Sequence, residues 1–108
     1  MARTKITLDI VKAHYAIVDD KLIYTTGKHA GKEAGYELPS GYIHVFHPVH
    51  NNEYAHRIVW MLDNDSEVPE GMHIDHIDFN RKNNAPSNLQ LLTASENCLR
   101  KKEKHLYA

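Results

Sequence analysis

Apolar and polar positions change rhythm about halfway along this 108-residue chain. The first half holds short β-rich runs. Tyr15-Ala-Ile-Val18 and Lys21-Leu-Ile-Tyr-Thr25 flank Asp19-Asp20, which predicts a hairpin across a polar turn. Gly27 to Gly41 holds four of the five glycines together with Pro39, a loop composition. Tyr42-Ile-His-Val-Phe46 has the residue types of a third strand, and Pro48 to Asn52 those of a turn. A small, twisted antiparallel sheet is expected from these runs.

The period lengthens at Ala55-His-Arg-Ile-Val-Trp-Met-Leu62, where Ile58, Val59, Met61 and Leu62 have near-helical spacing and Asn64 supplies a stop. Pro69-Glu-Gly71 then turns the chain into Met72-His-Ile-Asp-His76, an alternating segment that reads as a strand. The polar loop Asp78 to Ser87 leads to Asn88-Leu-Gln-Leu-Leu92, its expected antiparallel partner. Thr93-Ala-Ser-Glu96 matches a capping box, so a helix starts there and runs to about His105. The second half is therefore helix, strand, loop, strand, helix.

Composition narrows the possible chemistry. The length suits one domain, with residues 1–54 as a β-rich scaffold and residues 55–108 carrying the helix and the strand-loop-strand-helix unit. No apolar run approaches a membrane span, and the N-terminus lacks a secretory signal, so a soluble, cytoplasmic protein is expected. Cys98 is the only cysteine, which excludes an intrachain disulfide and a Cys-x-x-Cys zinc knuckle. The net charge of −1 hides an asymmetry. Residues 63–78 carry Asp63, Asp65, Glu67, Glu70, Asp75 and Asp78 without a Lys or Arg, whereas residues 79–108 balance to +4. Acidic groups suit a cation and a basic flank suits phosphates, although a charge run can equally be a solvated face.

Within this frame the segment His73-Ile-Asp-His-Ile-Asp78 stands out. Asp75 offers a hard oxygen ligand and His76 an imidazole, the side-chain type suited to act as a base near neutral pH, while Asn97 offers a second, neutral oxygen. A hairpin packed on a helix brings these three groups together. His44, His47, His50 and His56 suggest a rival zinc cluster, but their spacing across a strand and a Pro-containing turn does not converge readily.

Residues 56 to 97 resemble the HNH endonuclease family with its ββα-metal fold, especially the branch found in phage and intron-encoded homing nucleases. The resemblance rests on His56-Arg57 with Trp60, on His73-Ile-Asp-His-Ile-Asp78, and on Asn83-Asn84, Asn88-Leu89 and Glu96-Asn97. It implies an α+β fold, a small N-terminal antiparallel sheet and helix followed by the ββα-metal motif. It also implies a DNA endonuclease or nickase with His76 as general base and Asn88 bracing the loop between the strands. One divalent metal, Mg2+ or alternatively Mn2+, is expected on Asp75 and Asn97. Arg57, Arg81, Lys82, Arg100 and Lys101 are the expected DNA contacts, and either a monomer or a homodimer is compatible. Phe79 departs from the glycine that the family often has there, so the loop is expected to turn differently. A non-catalytic DNA-binding or phage accessory protein on the same fold is the alternative.

Overall fold

The computed structural model describes residues 5–107, with side chains as far as Glu103. It opens on helix α1 (Leu8–His14), where the sequence pattern had suggested no helix. Thr7 caps it by accepting from the Ile10 N–H at 3.3 Å, Asp9 lies in its first turn, and Lys12 and His14 lie in its last. These choices all suit the helix dipole. Its one fully buried side chain is Val11, which anchors a helix too short to persist in isolation.

Strands β1 (Tyr15–Val18) and β2 (Lys21–Tyr24) form the expected hairpin. Asp19 and Asp20 both adopt positive φ, 52° and 63°, the backbone that a tight two-residue turn requires. This hairpin does not extend into the next strands. A separate three-stranded sheet is built from β3 (Tyr36–Glu37), β4 (Ile43–His47) and β5 (His50–Tyr54), so the expected single sheet is in fact two.

Two further expectations change with it. The turn expected over Pro48 to Asn52 contains only the first part of that stretch, because His50 already pairs with His47 at the start of β5. The glycine-rich loop contains β3, paired with β4 through Tyr36↔His44 and Glu37↔Ile43. Gly35 makes that pairing possible. Its φ is 111°, and a Cβ there would lie 2.5 Å from Ile43 Cγ2.

Helix α2 (Ala55–Asn64) is the hub of the molecule. It packs against α1, β1, β4, β5 and the elements that follow. Ala55, Ile58, Val59 and Met61 face a core that also takes in Val11, Tyr15, Leu22, Val45, Ile74 and Leu89. The helix stops at Asp65, whose left-handed backbone places its N–H on the Met61 carbonyl.

The C-terminal unit follows the expected order. Strand β6 (His73–His76) pairs antiparallel with β7 (Leu89–Leu92), Asp75 standing opposite Gln90 and His76 opposite Leu89. Asn88 belongs not to the strand but to a short 3-10 turn, Pro86–Asn88, that precedes it. Helix α3 (Ala94–Tyr107) begins at the capping box. The Thr93 N–H donates to Glu96 Oε1 at 2.9 Å, and the Glu96 N–H donates to Thr93 Oγ1 at 3.2 Å.

Candidate active site

Alternation along β6 sets the stage, because Ile74 and His76 are buried while Asp75, between them, is only half-buried. Asp75 Oδ2 accepts from Gln90 Nε2 at 2.8 Å, across the register pair, and from Arg100 Nε at 3.0 Å. Both bonds fall on one oxygen, which keeps Oδ1 as an acceptor. Asn97 arrives from the first turns of α3, its N–H bonded to the Thr93 carbonyl at 2.9 Å. Asp75, His76 and Asn97 together line one cavity of about 90 Å³, with Tyr42, Phe79, Arg81, Arg100 and Lys101 around them.

The His76 ring is held at one nitrogen. Nε2 lies 2.7 Å from Asn84 Oδ1. A carboxamide oxygen can only accept, so Nε2 is the donor of this bond and Nδ1 is the nitrogen at which the neutral ring has its lone pair. Asn84 was not among the residues to which the sequence assigned a role, although it stands beside Asn83 in the recognised motif.

Asn88 ties the loop between the strands together. Its Nδ2 donates to Asp78 Oδ1 at 2.9 Å and to the Asn83 carbonyl at 2.8 Å, and its Oδ1 accepts from the Asp78 N–H at 3.1 Å. Asp78 in turn accepts from Asn83 Nδ2 at 2.9 Å and the Asn80 N–H at 2.8 Å. Those donors, Asn83 first, hold the Asp78 carboxyl below its ordinary range. Phe79 follows with φ 64°, the left-handed backbone a glycine would supply. The loop therefore makes the turn of a glycine at a non-glycine residue, and the Phe79 ring lies 4.0 Å beneath the Arg100 guanidinium.

The expected DNA-contacting cations are mostly engaged within the protein. Arg57 pairs with Glu53 at 3.3 Å and Lys82 with Glu37 at 2.8 Å. Arg81 donates to the Ser40 carbonyl at 2.7 Å and lies over the Tyr42 ring at 4.4 Å. Arg100 bonds Asp75, Glu103 and the carbonyls of His76 and Ile77, which makes it a clamp on the end of β6. Lys101 is exposed and lines the cavity beside Asn97.

Behind His76 sits His56, whose ring centre is 4.7 Å away. It is 7% exposed, and its Nδ1 is buried without a hydrogen-bond partner among the described residues. Burial first, then the neighbouring His76 and Arg57, pushes its pKa down to about 3. The sequence had singled His56 out as part of the element that precedes the motif and as a member of the rival histidine cluster, but not as a neighbour of His76. The histidines of the N-terminal half make a different arrangement, in which His47 stacks on His50 at 5.6 Å and His50 bonds Tyr15 and the Asn51 carbonyl.

The donor set at the cavity is compatible with one hard divalent cation. Asp75, whose Oδ1 is outside the bonds to Gln90 and Arg100, could be the charged ligand and Asn97 a neutral one on the same cavity. Mg2+ commonly accepts few protein ligands and completes its shell with water and phosphate oxygens.

Residues 53–99 match the HNH endonuclease family. An uncharacterized HNH endonuclease of Acanthamoeba polyphaga mimivirus is 39% identical over 46 residues, which is 43% of this chain and 25% of that protein. The fold is similar to that of the HNH homing endonuclease I-HmuI, solved in work on its DNA binding and cleavage. The TM-score is 0.62 at 21% identity, over 85% of this chain and 53% of that one. The chain thus spans a quarter of the viral relative and about half of the homing endonuclease. The family resemblance read from the sequence holds for its C-terminal half, and the mixed fold of small antiparallel sheets and helices is similar to that of an HNH homing endonuclease. No helix among the described residues is long and apolar enough to cross a membrane.

Proposed function

We propose that the protein is a metal-dependent DNA endonuclease or nickase, a single domain with its chemistry at the Asp75–His76–Asn97 cavity. The observation that carries this reading is the convergence of these three side chains on one small cavity from two elements, β6 and α3. His76 Nδ1 takes a proton from water, and the resulting hydroxide attacks the phosphorus. The P–O3′ bond breaks, its electron pair leaves on O3′, which takes a proton from solvent water, and the ends are a 5′-phosphate and a 3′-hydroxyl. Asp75 and Asn97 would hold one divalent ion, most simply Mg2+, whose charge stabilises the scissile phosphate and leaving oxygen. Asn84 keeps the proton on Nε2, so the opposite nitrogen is available as the base. Asn88 braces the loop that carries Asn84.

DNA would approach across the basic flank. Lys101 adjoins the cavity, while Lys82 and Glu37 form an exposed pair that a phosphate can displace at small cost. Arg57 and Arg81 can reach phosphates by leaving their present partners, whereas Arg100 serves chiefly to set Asp75.

A second reading, a DNA-binding or accessory protein without catalysis, draws on one observation: Arg100 already neutralises Asp75 with an ion pair at 3.0 Å. Supercoiled plasmid incubated with the protein, with and without Mg2+, Mn2+ and chelator, separates the two. The enzyme nicks or linearises the plasmid only with metal, and His76→Ala lowers the rate by roughly 100-fold or more while binding persists. Plasmid binding without cleavage under all of these conditions favours the accessory reading, and undiminished cleavage by His76→Ala removes His76 as the base.

A further inference from the structure

We infer that His56 is a positioning residue for His76: its flat ring backs the His76 imidazole and keeps Nδ1 turned to the cavity. The inference rests on the reading of His76 as the base and goes beyond it, because nothing in that chemistry requires a second histidine.

One hydrogen bond fixes the His76 ring at Nε2. That bond alone does not stop the ring from rotating about Cβ–Cγ, and a rotation that breaks it frees the proton to move to Nδ1, so the ring needs a second restraint from packing. Two rings supply it. His56 lies 4.7 Å from His76 at an interplanar angle of 59°, and Tyr42 lies 6.3 Å away at 41°. His56 is itself fixed, with Tyr42 on it at 5.7 Å and Tyr54 at 5.4 Å, and it sits in the first turn of the buried hub helix α2.

The choice of residue carries the argument. An aliphatic side chain would fill this space without burying an unpartnered nitrogen, which is a standing penalty to the fold. What it cannot supply is a rigid ring held tilted against the imidazole. The penalty sits where the protein would otherwise gain stability most simply, a pattern that marks sites held for function. Burial also keeps His56 uncharged at neutral pH, so it adds no repulsion against a proton arriving at His76.

The test compares His56→Leu with His56→Phe in the full chain. Long-range 1H–15N spectra report which nitrogen of His76 carries the proton, and plasmid nicking in Mg2+ or Mn2+ reports kcat and KM separately. His56→Leu is expected to fold at least as stably as the wild type yet to show mixed His76 ring states. Its kcat should fall roughly 10- to 100-fold at unchanged KM, the size of loss that a misplaced group causes. His56→Phe, which keeps a flat ring, should restore the single Nε2–H state and most of kcat. A His56→Leu protein with an unaltered His76 spectrum overturns the inference, as does a His56→Phe protein as impaired as His56→Leu. Should the wild type itself cleave no DNA, the endonuclease reading fails while the spectra still decide whether His56 orients His76.

Discussion

Each half of the molecule buries a histidine among tyrosines, and the two halves treat the ring nitrogens differently. In the N-terminal half His50 is fully buried with both nitrogens engaged, Nδ1 donating to the Asn51 carbonyl and Nε2 accepting from the Tyr15 hydroxyl at 2.6 Å. Burial pushes the Tyr15 pKa up, so the hydroxyl remains a donor across the physiological range. In the C-terminal half, among the described residues, His76 has a hydrogen-bond partner on Nε2 only, and His56 has none for Nδ1. A completed network fixes a scaffold, whereas an incomplete one leaves capacity for a reaction. Histidine count alone does not distinguish the two.

Perturbing completed networks on both sides sharpens that contrast. The largest effect is expected at Asn88, a completed polar group inside the C-terminal half. Asn88→Ala removes three side-chain hydrogen bonds and should destabilise the protein by about 3 kcal/mol. That corresponds to a fall in Tm of roughly 10–20 °C. Nicking should fall too, since the loop carries Asn84; a lost activity at unchanged Tm, measured by calorimetry, would count against bracing.

A smaller effect is expected at Tyr15. Tyr15→Phe strands His50 Nε2 in the core at a cost of about 1–3 kcal/mol, visible as a lower urea midpoint. Nicking by the folded fraction should stay at the wild-type rate. A specific loss of kcat in this variant would erase the division between scaffold and site.

The smallest effect at neutral pH concerns His56 and grows on acidification. Its folded-state pKa, about 3, lies below the ordinary value of 6.5, so between these values the unfolded chain binds the proton that the folded chain refuses. Stability should therefore be fully present above about pH 6.5 and decline as pH falls toward 3. His56→Leu removes this contribution, and its Tm should vary less with pH over that window. Parallel pH profiles of Tm for the two proteins would mean that His56 is not held neutral by burial.

The elements legible in the sequence were those with local signals. The β6–β7 hairpin follows from alternation in Met72–His76 and Asn88–Leu92, and α3 from the Thr93–Glu96 box. Helix α1 escaped because seven residues with a single fully buried side chain give little periodicity, and its stability comes from contact with α2. Strand β5 escaped because His50-Asn-Asn-Glu-Tyr54 has a polar composition with little strand propensity, and only pairing with β4 makes it a strand. The basic residues were legible as charges but not as engaged ones. The partners of Arg57 and Lys82 lie outside the acidic segment that composition emphasised, at Glu53 and Glu37.

By itself the sequence determined the inventory of the candidate site and the local units that carry it. Asp75 and His76 are adjacent on one strand and Asn97 lies just past a helix cap, relations set by spacing and short-range backbone preferences. Only the tertiary structure decided which His76 nitrogen bears the proton, that Arg100 reaches back across twenty-five positions to Asp75, and that His56 stands behind His76. Those outcomes depend on loops and on the docking of α2 and α3 against the hairpin. Residues far apart in sequence acquire direction only when the core that joins them is packed.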